Sequence, residues 1–233
     1  MKIKGLQKTT FIDYPGKIAC TLFLFGCNFK CDFCHNPELV LENKNKDIPE
    51  EEILNFLEKR KEYLEGVCIT GGEPLLSLKK DFVKKIKSLG YKIKLDTNGS
   101  FPEKLNEYVK ENLVDFIAMD IKASKENYNN VVNAKVYLEN IEKSIKVISS
   151  IPEYEFRTTI LRDIHNEGEM IKIALWLNES IGEKPKKFCL QAFKNKGKIL
   201  GKNLEKEKDV QEETLIKLKE IIQDKFEEIE IRA

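Results

Sequence analysis

Residues 67–99, VCITGGEPLLSLKKDFVKKIKSLGYKIKLDTNG, decide the architecture. Residues 67–70 form a short apolar run that stops at Gly71-Gly72, as a buried strand does at a turn. Residues 77–89 place Leu78, Phe82, Ile86 and Leu89 on one stripe at helical spacing, with Gly90 just past the end. Residues 91–95 then alternate as a strand and stop at Asp96-Thr97-Asn98-Gly99. Strand, helix and strand in that order make one unit of a parallel α/β sheet.

The same rhythm extends in both directions. Strands are expected at 18–25, 114–118, 154–161 and 187–192, and helices at 49–64, 102–112, 135–149 and 167–181. In the helix at 49–64, Pro49 suits the first turn, three glutamates follow, and Ile53, Phe56 and Leu57 share a face. In the helix at 135–149, Leu138, Ile141, Ile145 and Ile148 line the core side. A last helix at 211–225 and a short strand at 229–232 finish the chain. Six such units predict a partial (β/α)6 barrel of parallel strands with outer helices, since the closed form takes eight strands. One domain, 1–233, is expected, with a core of about 11–193 and a C-terminal extension of 194–233. Each polar motif falls at the C-terminal end of a strand, the edge where parallel α/β sheets gather their sites.

The bulk numbers narrow the function classes. The 233 residues are 41% hydrophobic and 34% charged, as in a folded soluble chain. Forty Lys and Arg against 39 Asp and Glu leave a net charge of +1, so no nucleic acid or anionic membrane is expected as partner. No run reaches the roughly 18 apolar residues of a membrane span. The start, Met1-Lys2-Ile3-Lys4-Gly5, lacks the apolar core of a signal peptide, and a cytoplasmic location is expected. Abundant Lys, Glu and Ile with scarce Gln point to a hot source. Six cysteines are too sparse for a disulfide scaffold, and three share one loop, which in a reducing compartment favours metal.

That loop is Gly26-Cys27-Asn28-Phe29-Lys30-Cys31-Asp32-Phe33-Cys34-His35-Asn36, at the end of the first expected strand. Three thiolates spaced C-x3-C-x2-C can hold three corners of a four-iron cluster and leave the fourth iron open to a ligand that is not protein. Two alternatives stand beside this. Zinc could take His35 as the fourth ligand of a Cys3His site, although His35 directly follows Cys34 and joint tetrahedral ligation is awkward. The thiols could also form a plain redox or structural cluster. Cys20, Cys68 and Cys189 lie inside strands and read as small buried hydrophobes. His165, in the loop after the fifth strand, reads as a solvated loop histidine.

The cysteine run, with Phe33 just before its last cysteine, resembles the signature of the radical S-adenosylmethionine (SAM) enzymes. The resemblance implies one [4Fe-4S] cluster on Cys27, Cys31 and Cys34, with SAM on the open iron. Reductive cleavage of SAM then yields methionine and a 5′-deoxyadenosyl radical. It implies no acid or base among the side chains, because cluster and SAM carry the chemistry. Gly71-Gly72-Glu73-Pro74 resembles the family's motif for the SAM amino group; by itself it could be only a turn. Phe33 and His35 would lie by the cluster and the adenine.

Two further motifs resemble a narrower group, the activating enzymes of glycyl radical enzymes. Asp96-Thr97-Asn98-Gly99 is otherwise a hairpin turn, but a helix follows it rather than a paired strand. Asp120-Ile121-Lys122 would bring Asp120 to the SAM carboxylate together with Asp96 and Thr97, a monovalent cation being a further cofactor the resemblance allows. Lys122 would neutralise that carboxylate, or is a solvated surface lysine. Asp13, in Phe11-Ile12-Asp13-Tyr14-Pro15-Gly16-Lys17, would meet the partner's glycine loop, or serves a turn. Arg157 and Gln191 resemble substrate-side positions, as would any polar residues alternating on strands. The nearest branch resembled is the activating protein of anaerobic ribonucleoside-triphosphate reductase, with a low-potential donor such as flavodoxin or ferredoxin. The 36 residues between Cys34 and Gly71 hold a single cysteine, Cys68, inside an expected strand, leaving no room for a ferredoxin-like insert with extra clusters. A radical SAM enzyme acting on a small molecule, like the deazapurine synthases, and a zinc-stabilised binding module are the other readings.

Overall fold

The computed structural model describes residues 1–41, 46–204 and 206–233. Its strands are β1 (Ile3–Thr10), β2 (Ala19–Leu24), β3 (Gly66–Gly71), β4 (Lys92–Thr97), β5 (Phe116–Asp120), β6 (Tyr154–Ile160), β7 (Lys187–Ala192) and β8 (Glu228–Arg232). They form one mostly parallel sheet whose order follows the chain from β1 to β8 without closing. The helices are α1 (Pro37–Val40), α2 (Glu50–Arg60), α3 (Lys80–Ser88), α4 (Pro102–Lys110), α5 (Tyr128–Val132), α6 (Leu138–Ser149), α7 (Glu167–Ile181) and α8 (Glu212–Ile222). The six expected parallel strands are β2 to β7. Two compact units are distinguished, one of Met1–Asn28, Asn36–Thr97 and Glu103–Ile117, the other of Phe29–His35, Asn98–Pro102 and Ala118–Ala233.

In the first unit β2, β3 and β4 pair in parallel, with Cys20 opposite Val67 and Cys68 opposite Lys94. Ala19, Cys20, Leu22 and Leu24 of β2 and Val67, Cys68 and Ile69 of β3 are buried, which is why these strands read as unbroken apolar runs. On α3, Phe82, Val83 and Ile86 are buried while Lys84 and Lys85 face solvent. Each such apolar side chain contributes about 1.5–3 kcal/mol by leaving water. Acidic Glu50, Glu51 and Glu52 open α2 and basic Lys59 and Arg60 close it, matching the helix dipole. β1 was not expected. It runs antiparallel to β2, and only Ile3 and Thr10 of it are buried, so it carries no apolar pattern.

In the second unit β6, β7 and β8 pair in parallel, with Arg157, Cys189 and Glu230 in one row. Alternate residues go to opposite faces. Phe156, Ile160, Phe188, Leu190 and Ile229 are buried, and the Phe188 ring stacks on Phe226 at 4.5 Å. The opposite register positions hold Glu155, Arg157, Cys189, Glu230 and Arg232. α7 matches its expected bounds because both ends are signalled. Asn166 Oδ1 accepts the Glu169 N–H at 3.0 Å, and Gly182 takes the left-handed conformation past the last turn. Among the described residues no helix is long and apolar enough to cross a membrane.

Candidate functional site

The Gly71-Gly72 pair has a local role in the first unit. A Cβ on Gly72 would stand 2.0 Å from the Gly26 carbonyl oxygen and 3.1 Å from the Cys27 nitrogen; one on Gly71 would stand 2.3 Å from the Leu24 carbonyl oxygen. The bare backbone therefore reaches the segment that leads into Cys27. Gly72 N–H donates to Leu24 O at 2.9 Å and Glu73 N–H to Gly26 O at 2.7 Å. The glycines let the cysteine segment approach the end of β3.

Glu73 is fully buried. Its Oε1 accepts the Leu75 N–H at 3.1 Å, capping a 3-10 turn at Pro74–Leu76, and the Thr97 hydroxyl at 2.9 Å. Thr97 is thus tied to the Gly-Gly-Glu-Pro motif. Asp96 forms a short ion pair with Lys94, a lysine only 2% exposed and 5.9 Å from the Phe116 ring centre. Sequence reading passed over Lys94, because a single lysine in a lysine-rich chain carries no signal. Asp13 accepts the Thr21 hydroxyl at 2.5 Å, its own N–H donates to Thr10 Oγ1 at 3.2 Å, and Lys17 N–H closes a turn on Tyr14 O. Beside it Phe11 and Ile12 are largely exposed.

The second unit holds Phe29–His35, with Cys31 and Cys34. Lys30 N–H donates to Val132 O at the end of α5, and Asn133 Nδ2 donates to Asp32 Oδ1 at 2.8 Å. From the C-terminal extension, Leu200 N–H donates to Cys34 O at 3.0 Å and Gly201 N–H to Asp32 O at 2.8 Å. Backbone donors of this kind leave no composition signal, so the sequence did not mark residues 200 and 201. His35 stacks on Phe193 at 5.6 Å. Phe33 is buried beneath the Lys122 ammonium, 5.5 Å from its ring centre.

Asp120 and Lys122 pair at 2.9 Å, and Arg157 Nε donates to the other Asp120 oxygen at 2.8 Å. Burial pushes the Asp120 carboxyl upward, but the Arg157 guanidinium and Lys122 ammonium outweigh it and hold it well below the usual carboxylate range. Lys122 is a partnered, mostly buried lysine and not a solvated one. Gln191 is half-buried on β7, in register with Thr159 and Arg232. Asn98 folds back locally, its Oδ1 accepting the Ser100 N–H at 3.0 Å and the Ser100 hydroxyl at 2.6 Å. Gly99 follows at φ +78, so the pair makes a turn without a hairpin.

His165 corrects the sequence reading. It is 2% exposed, not solvated. Its Nδ1 accepts the Leu161 N–H at 2.9 Å, so Nε2 carries the proton and donates to Lys122 O at 3.0 Å. Burial lowers its pKa and keeps it neutral. Close by, Glu169 accepts from Ser124 N–H, the Ser124 hydroxyl and Asn127 Nδ2 at 2.7–3.0 Å. The two residues hold the backbone that follows Asp120. A histidine five residues after a strand end gave no hint of this, since the contact with Lys122 is non-local.

None of the six cysteines is in a disulfide. Cys20, Cys68 and Cys189 are buried, as expected. Burial raises the Cys31 thiol to about 11, against a lowering by Lys122. Among the described residues no three His, Cys, Asp or Glu side chains stand preassembled around a metal. The fit to an iron–sulfur cluster is therefore one of donor chemistry: three unoxidised thiols between positions 27 and 34 suit it.

The Radical SAM superfamily model matches residues 21–177. A protein of Methanocaldococcus jannaschii provisionally named a glycyl-radical enzyme activating enzyme is 35% identical over 181 residues, 74% of this chain and 73% of that one. A pyruvate formate-lyase-activating enzyme of Clostridium pasteurianum is 32% identical over 127 residues, 52% of each chain. Streptococcus suis SuiB bound to S-adenosylmethionine shares the fold, with a TM-score of 0.59 at 15% identity over 92% of this chain and 45% of that one.

Proposed function

The chain belongs to the Radical SAM superfamily, in its group of glycyl-radical enzyme activating enzymes, and from that premise we propose that it activates an anaerobic ribonucleoside-triphosphate reductase, holding one [4Fe-4S] cluster through Cys27, Cys31 and Cys34. The family uses such a cluster with SAM, and when bound the pair supplies, on one-electron reduction, a 5′-deoxyadenosyl radical able to take a hydrogen atom from a glycine α-carbon.

The chain's own residues hold and shield. Gly71 and Gly72 let the backbone brace the segment entering Cys27, and Leu200 and Gly201 brace the one carrying Cys34. The buried Glu73 and Thr97 set the strand ends on the side of the SAM amino group. Lys122, seated on Asp120 and over Phe33, supplies positive charge for the SAM carboxylate, with His165 fixing its backbone. Asp96 is read as a further SAM contact, its charge partly balanced by Lys94. No side chain is required as acid or base. Asp13, between exposed Phe11 and Ile12 and the turn at Pro15, is the contact for the partner's glycine loop.

The reading is carried by three cysteines at C-x3-C-x2-C spacing between positions 27 and 34 in a chain 35% identical to an activating-enzyme relative. The interval between Cys34 and Gly71 holds only the buried Cys68 of β3, which favours a single cluster. The test is anaerobic incubation of reduced, reconstituted protein and SAM with the reductase or with pyruvate formate-lyase, followed by electron paramagnetic resonance. A glycyl radical doublet on the reductase alone is expected; a doublet only on the lyase would overturn the choice of partner.

A further inference from the structure

A ladder of alternating charge crosses β8, β7 and β6 to the end of β5. Lys187 Nζ lies 2.7 Å from Glu230, and Glu230 receives Arg232 at 2.8 and 3.2 Å. Arg232 then clasps Glu155 with two parallel bonds, Nη1 to Oε1 at 3.1 Å and Nη2 to Oε2 at 2.7 Å. Glu155 is 0% exposed. Its Oε1 lies 3.9 Å from Arg157 Nη1, and Arg157 Nε donates to Asp120 at 2.8 Å.

The positions follow from strand period. Glu155 and Arg157 are two apart on β6, as are Glu230 and Arg232 on β8, so all four sit on the face opposite the apolar one. A fully buried carboxylate needs its charge matched. Arg232 matches it bidentately, the strong geometry for this pair, and Arg157 stands beyond hydrogen-bond range of Glu155. Arg157 is thereby left for Asp120. Without Arg232, Glu155 would have Arg157 as its nearest remaining cation, and closing the 3.9 Å gap would draw Arg157 off Asp120. We propose that Glu155 and Arg232 are positioning residues that seat Arg157 on Asp120, so that the C-terminal strand β8 supports the SAM side of the site. The proposal rests on the reading that Asp120 and Lys122 serve SAM.

Two measurements on the full chain separate the ladder from that reading. The first is the 1H–15N signal of Arg157 Nε, recorded with and without reconstituted iron. The second is the SAM dissociation constant of reconstituted protein by equilibrium dialysis. Arg232→Met should shift the Arg157 signal, speed its solvent exchange and weaken SAM binding about tenfold, as loss of a supporting contact commonly does. The neutral double variant Glu155→Gln/Arg232→Met removes the competing charge and should restore both readouts, which loss of stability alone would not do. An Arg157 signal unmoved in Arg232→Met, or a double variant as impaired as the single one, would overturn the positioning role. An Arg157 signal that moves and recovers while SAM binding stays constant would uphold the seating of Arg157 on Asp120 and overturn the assignment of Asp120 to SAM.

Discussion

Replacing Gly72 by Ala isolates the contact that braces Cys27. The added Cβ would meet Gly26 O at 2.0 Å and Gly26 C at 2.5 Å, both backbone atoms that cannot swing aside as a side chain tip can. About 1 Å of movement is needed to reach any tolerable contact, and the two hydrogen bonds across the gap, 2.7 and 2.9 Å long, stretch with it. Two bonds weakened at about 1 kcal/mol each, with about 1–3 kcal/mol for the overpacked backbone, give about 3–5 kcal/mol. Gly90→Ala is the control. Gly90 has φ +94 with nothing within 4 Å of the added carbon, so left-handed strain alone acts, about 1–2 kcal/mol. Urea unfolding of the iron-free chain, followed by circular dichroism, measures the difference. Iron per chain after anaerobic reconstitution should fall sharply in Gly72→Ala and stay whole in Gly90→Ala. A Gly72→Ala protein no less stable than Gly90→Ala, and holding full iron, would refute the brace.

Three further outcomes are expected. Iodoacetamide at about pH 8 should label Cys27 and Cys34 of the folded iron-free chain and spare Cys20 and Cys189, whose thiols burial pushes up to about 12; mass spectrometry finding Cys20 or Cys189 modified first would count against this. Asp120 is held below its unfolded range, so the folded state binds fewer protons there and this part of the stability is present above about pH 4 and lost as pH falls through the folded value. Asp120→Asn should therefore flatten the acid limb of unfolding free energy against pH, and an unchanged slope would contradict it. His165 is kept neutral by burial, so the unfolded state gains its proton first and stability declines as pH drops below about 6.5. His165→Gln should remove that slope and cost about 1–3 kcal/mol for the two bonds to Leu161 and Lys122, read by the same titration.

Strands β2 to β7 were legible because parallel strands are buried on both faces and leave unbroken runs such as Val67-Cys68-Ile69. β1 was not, because an edge strand with Gln7 and Lys8 exposed and only its end residues buried has no such run. α5 escaped because five residues are too few to show a period. The cysteine spacing, Asp120 and Lys122 were readable as motifs of fixed local spacing. What Lys94, His165, Glu155, Leu200 and Arg232 do was not, since each acts on a neighbour brought near by the sheet or by a loop, and a buried lysine or histidine is spelled like a solvated one. The Gly-Gly pair was noticed for the right residue type, while the close approach it permits is to Leu24 and Gly26 of the chain itself.

The central claim is that Cys27, Cys31 and Cys34 hold a four-iron cluster open to SAM. Low-temperature electron paramagnetic resonance of anaerobically reconstituted, reduced protein, with and without SAM, tests it most directly. The expected result is the spin-½ signal of a reduced four-iron cluster that shifts when SAM is added and is lost when any one of the three cysteines is replaced by Ala. An iron signal indifferent to SAM, or a preparation with no iron signal and stoichiometric zinc, would contradict it.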